Sequence, residues 1–183
     1  MAGRQTFIRT LHDAGLAAWF GGSLFGAVGL NGAAAAASDP SERTKIAAAG
    51  WAKWAPVNAV ALAAHTVGGI GLIAGNAGRV ATQKGAGQNT ALKTVLTLAA
   101  MGVTAYSGLQ GAKLGKNSPA PAAGATEPNE QTPHEVAQAQ KRLKALQWSI
   151  PALTGVLLVM TVQQGEQQKP SQIAKGLIER VRS

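Results

Sequence analysis

Apolar positions along this chain fall into long blocks separated by short charged stretches. Neither the two-residue alternation of a half-buried strand nor the one-sided stripe of a surface helix runs through them. The block over 14–52 is interrupted only by the charges at 39–45, and 54–78, 94–112 and 145–165 contain no Asp, Glu, Lys or Arg. A helix needs about 20 mostly apolar residues to cross a bilayer core. The blocks therefore predict four transmembrane helices, over about 14–36, 54–76, 93–113 and 146–164. A soluble bundle would show charge on the outer face of its helices. Stretches such as "WAPVNAVALAAHTVGGIGLIAG" show none on any face. Arg4 and Arg9 ahead of the first block also fit a signal peptide cut after Ala37, although Asp13 and the long glycine-rich run suit that poorly.

The blocks are not independent. "GLNGA" at 29–33 returns as "GLQGA" at 108–112, each at the end of an apolar run. "DPSE" at 39–42 is answered by "TPHE" at 132–135, and both are helix starts: an oxygen-bearing cap, proline at the first helical position, Glu at the third. Each start leads through a basic, amphipathic helix into a run announced by Trp and Pro, Trp54 and Pro56 in one case and Trp148 and Pro151 in the other. The expectation is an all-α, four-helix transmembrane bundle made of two parallel two-helix repeats, 14–78 and 93–165, with amphipathic interfacial helices. The Pro/Ala-rich stretch at 115–131 reads as a flexible linker, and 171–182 as an amphipathic tail helix.

In lipid the hydrophobic effect does not draw helices together, so small residues four apart mark the seams. Gly22 and Gly26, Gly71 and Gly75, and Ser107 and Gly111 are the candidates. Trp51, Trp54 and Trp148 are placed as an interfacial belt, and Lys175, Arg180 and Arg182 as basic residues of the tail on an anionic leaflet.

Composition refines this picture. There is no cysteine, which removes disulfides, thiolate metal sites and cysteine nucleophiles. The net charge of +9 sits beside the apolar blocks, and aromatics are only 4%, too few for base stacking. Anionic lipid, rather than nucleic acid, is the partner this implies, together with other membrane proteins or a second copy. Basic residues divide nine to eight between the two sides, so the tail decides: both termini are expected on the cytoplasmic side of an inner membrane.

Polar residues inside the spans carry any chemistry. His65 lies nine positions after Pro56, and Met160 nine after Pro151, so the repeat puts imidazole and thioether at one depth. That pair could ligate haem iron or Cu(I). Alternatively His65 is a neutral imidazole sharing hydrogen bonds inside the bundle, and Met160 fills space. His12 is expected too far from the midplane to join His65 across a haem. Asn31 and Gln110, the matching amides of the two pentapeptides, either line a solute vestibule or tie helices together. The glycine-rich 75–89 stretch lacks the ending of a phosphate loop, and no Ser–His–acid set or HExxH occurs, so neither enzyme chemistry nor a cofactor is expected.

"HDAGLAAWFGG" at 12–22 resembles the His-x6-Trp-x-Gly-Gly start of copper-resistance-D-like membrane proteins, which implies copper handling. As a whole the chain resembles small Ala/Gly-rich four-span membrane proteins of unassigned function from actinobacteria. The expected role is a non-catalytic accessory or scaffold subunit of a membrane assembly, with small-solute, metal or haem handling as the alternative.

Overall fold

A computed structural model describes residues 2–77 and 86–167. Among them the chain is helical throughout, without a strand: α1 (Ala2–Phe25), a π turn (Gly26–Leu30), α2 (Asn31–Ala35), α3 (Pro40–Gly75), α4 (Ala86–Lys116) and α5 (His134–Gln167). Helix α1 packs along α3 and α5, and α4 packs along the same two, so α1 faces α4 and α3 faces α5 across the bundle diagonals. Three segments are long and apolar enough to cross a membrane: Pro40–Gly75, Gly87–Lys116 and His134–Gln163. The surface agrees with that reading. Val60, Val67 and Ile70 on α3, Val95, Leu98 and Leu109 on α4, and Val159 and Val162 on α5 are all more than half exposed. Outer faces of large aliphatic residues on these three helices belong in hydrocarbon rather than water.

The turn before α3 forms as its residues dictate. Asp39 adopts extended backbone, and its carboxylate accepts the Ser41 N–H at 2.8 Å, while Pro40 takes the first helical position. Those bonds to Ser41 hold the Asp39 carboxyl below the usual range. Its counterpart behaves differently. The Thr132 hydroxyl donates to the Pro121 carbonyl at 2.7 Å and accepts from the Asn129 N–H, so it fastens a loop rather than capping α5. The expected amphipathic helices are also not separate elements. Both prolines lie inside continuous helices, Pro56 in α3 and Pro151 in α5. Pro151 is buried and Pro56 exposed; proline inside a membrane-type helix is tolerated where neighbouring groups meet the carbonyl it frees.

Helix α1 starts a dozen residues earlier than its apolar block. Its register against α3 is read from close approaches: Gln5 at Gly75, Ile8 at Gly71, His12 at Gly68, and the rings of Trp54 and Trp51 against Gly22 and Gly26. Arg4, Arg9 and Asp13 thus stand beside the most apolar end of α3. The two blocks are staggered along the hairpin, which a reading of each block alone does not reveal. The tightest approach is backbone to backbone. A Cβ on Gly15 would lie 2.6 Å from the Ala61 carbonyl oxygen and the His65 nitrogen, and one on Gly68 would lie 2.5 Å from the His12 nitrogen.

The stretch expected as a flexible linker is fastened down. Thr44 exchanges hydrogen bonds with the Ala120 backbone in both directions, at 2.9 and 3.0 Å. The Arg43 guanidinium donates to the carbonyls of Ala37, Ala122 and Ala123. From α5, the Gln140 amide donates to the Gly124 and Ala125 carbonyls. Ala120, Ala122, Ala125 and Thr126 are buried by this docking. Composition signals a coil, but a coil with its carbonyls satisfied can still be held in one place. The loop forms a lid over one end of the bundle.

Candidate functional site: a chamber under the lid

Beneath the lid the four long helices diverge around a cavity of about 330 Å³. Its floor is Trp19, fully buried, whose indole N–H donates to the Thr104 hydroxyl at 3.2 Å. This bond spans the α1–α4 diagonal. The walls carry Trp51, Trp54 and Asn58 from α3, Ser107 and Gly111 from α4, and Gln147 from α5. No ionisable side chain is among the lining residues. The wall is aromatic, amide and hydroxyl, with small residues between.

The π turn is what brings Asn31 into this wall. Buried positions on α1 run through His12, Leu16, Trp19, Ser23 and Gly26 at helical spacing, then step five residues to Asn31 and three to Ala34. One extra residue in the turn rotates the following helix by about 100°, and such bulges gather at functional positions. Asn31 then donates from Nδ2 to Gln147 Oε1 at 2.7 Å and accepts the Trp51 indole N–H at 3.0 Å. Three elements are joined by these two bonds, the first buried and the second partly so. Asn58 Oδ1, also buried, meets no donor among the described residues.

Several residues singled out in the sequence therefore lie here. Asn31, Trp51, Trp54, Ser107 and Gly111 all line the chamber. Gln110 is buried but outside its wall, so the two matching amides do not face each other across one space. Trp51 and Trp54 turn inward, whereas Trp148 is half-exposed on the outer face of α5. Gly22 and Gly26 make room for the indoles of α3, and Gly71 and Gly75 for Ile8 and Gln5. A Cβ on Gly111 would meet nothing within 4 Å, so on α4 the small residues border space instead of a packed seam. Lys175, Arg180, Arg182 and the 171–182 tail lie outside the described residues.

Below the Trp19 floor sits the histidine pair. His12 and His65 are both buried, with ring centroids 4.2 Å apart. His65 Nδ1 lies 3.2 Å from the His12 carbonyl oxygen, and His12 Nδ1 lies 2.8 Å from Asp13 Oδ1. The sequence reading separates these imidazoles. The early start of α1 and the bare faces of Gly15 and Gly68 bring them together. Met160 is on α5, at the diagonal from α3, and is half-buried. Among the described residues no group of three or more His, Cys, Asp or Glu side chains is placed to hold a metal ion.

Sequence reasoning located the amides and indoles but not their convergence. Asn58 and the lid were missed as wall components. The signal for Asn58 was present, since it stands one turn from Trp54 on the same face. No family model, curated protein or solved structure matches the chain.

Proposed function

We propose that this is a four-span inner-membrane protein, non-catalytic, whose bundle holds a small uncharged solute in the chamber under the lid. The observation that carries this is the wall itself: three indoles, three amides and no ionisable group around about 330 Å³. Ligand sites have this character, largely apolar with a few placed polar groups. In this reading α1, the π turn and α2 together make the fourth span, and the two hairpins are parallel repeats. Both termini face the cytoplasm, and the lid end lies toward the outer leaflet. Native mass spectrometry of protein released gently from membranes tests it. One stoichiometric neutral adduct is expected on the wild type, and it should vanish in Gly111→Phe, whose ring would occupy the chamber. A wild type that carries no adduct, and that binds nothing from panels of neutral solutes, defeats the reading.

A second reading is an accessory or scaffold subunit, and one surface favours it. Between Phe7 and Phe25 the outward face of α1 is smooth: Ala14, Ala17, Ala18 and Gly21 are exposed, unlike the Val and Leu faces of α3, α4 and α5. Small residues let another helix come close in lipid. Co-purification of a partner that is lost with Ala18→Trp, while the chamber adduct remains, would support this role.

A further inference from the structure

The chamber is not closed on every side. Between α3 and α4 its wall consists of Ala52 and Ala55 facing Gly108, Ala112 and Gly115, and all five are exposed although they line the cavity. A Cβ on Gly108 or on Gly115 would meet nothing within 4 Å. The gap is therefore a window in the side of the bundle. It opens beside Val57 and Leu109, large apolar residues that are 51% and 63% exposed. On the reading that the long helices span lipid, a window flanked this way faces hydrocarbon rather than water. Lys53, Lys113 and Lys116 are exposed on the same two helices toward the lid end, the level at which ammonium groups reach head groups.

Resting on the binding role proposed above, we propose that the chamber takes the hydroxyl end of a neutral membrane amphiphile, a long-chain alcohol or diacylglycerol, through the α3–α4 window. Three features select this chemistry. A wall with no ionisable side chain gives no compensation for a carboxylate or phosphate, whose burial unpaired is prohibitive. A purely apolar chain would leave Asn58 Oδ1 without a donor. A hydroxyl both donates and accepts, so it satisfies the Asn58 amide whichever way that amide is turned. The space holds roughly ten groups the size of a water molecule, enough for a polar head and its first methylenes. The rest of the chain then passes between Ala55 and Gly108 into the bilayer.

Three of the four tryptophans line the chamber, which supplies the readout. In a Trp148→Phe background, reconstituted in bilayers, the protein is titrated with dodecanol brominated next to its hydroxyl. Heavy-atom quenching of the remaining indoles should saturate. The matching bromododecane should bind about tenfold more weakly, the factor carried by one lost hydrogen bond of ordinary strength. The matching bromododecanoate should show no saturable phase. Gly108→Leu fills the window and should abolish saturation. Gly102→Leu, equally free of contacts on α4 but not a lining residue, should keep it and thereby control for folding. Saturation that survives Gly108→Leu, or equal binding of alcohol, alkane and carboxylate, overturns the proposal. Saturation by water-soluble bromoethanol alone overturns the amphiphile and leaves the chamber standing. Saturation by neither alcohol removes both.

Discussion

The substitution Gly→Ala should have opposite signs at two places in this bundle, and the structure says which. At Gly15 a Cβ would lie 2.6 Å from both the Ala61 carbonyl oxygen and the His65 nitrogen, and 3.1 Å from the His65 Cα. These are backbone atoms of a long helix, so no side-chain rotation relieves the overlap. Helix α1 must move away from α3 by about 1 Å to reach ordinary contact. A gap of that size forfeits roughly a quarter to a half of each dispersion well along the seam. Overpacking of this kind costs about 1–3 kcal/mol. Alanine returns up to about 1 kcal/mol of helix propensity. The net expectation for Gly15→Ala is a loss of up to about 2 kcal/mol, the overpacking cost less the full propensity gain. At Gly102 the new Cβ meets nothing within 4 Å, so only the propensity gain remains. Gly102→Ala should be neutral or more stable by up to about 1 kcal/mol. Reversible unfolding in mixed micelles, followed by tryptophan fluorescence, measures both. If the two variants shift the midpoint in the same direction by similar amounts, the α1–α3 seam is not where the structure puts it.

Three further outcomes concern the amide network, the lid and a carboxyl within it. Asn31→Leu leaves the Gln147 amide and the Trp51 indole unpaired and should destabilise the bundle by about 1–3 kcal/mol for each; Asn31→Leu with Gln147→Leu should recover part of this, and strict additivity in the cycle would refute the pairing. Arg43→Ala removes bonds to two carbonyls of the lid, Ala122 and Ala123, and to Ala37 in the turn before α3, so hydrogen exchange over 117–133 should rise well before the helices respond. At Glu127 burial pushes the carboxyl up, but the Thr126 bonds and Lys144 at 3.2 Å outweigh it and hold the group below its ordinary value. The charged form is thus favoured by the docked lid. Its contribution is present above the ordinary Glu value and is lost as pH falls through the lowered one. Proteolysis of the lid should accelerate in that acid window, and Glu127→Gln should flatten the dependence; an unchanged profile would show that another group controls docking.

How much of this was written in the residues depends on the range over which each signal acts. Asp39 and Pro40 are local chemistry, and they start α3 as expected. The chargeless blocks survive as outer faces of aliphatic side chains because composition over a helix length is enough to set the preferred solvent. Gly22 and Gly26 were recognisable as places of close approach, although what approaches is a pair of indoles from α3. Relative depth was not recoverable. It is set by helices sliding against one another until Gly15 and Gly68 meet bare backbone, and only that register joins His12 to His65. The π turn is invisible to periodicity until Asn31 is known to be buried. The lid misled composition for a plain reason. Its own residues have little to pack, and the order comes from Arg43, Thr44 and Gln140 elsewhere in the chain.

Accessibility of single cysteines in intact membranes tests the four-span bundle most directly, and the chain has no native cysteine to interfere. Phe25→Cys, Val60→Cys, Leu98→Cys and Val159→Cys place one thiol on the exposed apolar face of each long helix. All four should resist a water-soluble maleimide while reacting with a lipid-soluble one, and Asn117→Cys at the start of the lid should label from a single side. Rapid aqueous labelling at any of the four, Phe25 above all, would mean that its helix does not cross the bilayer.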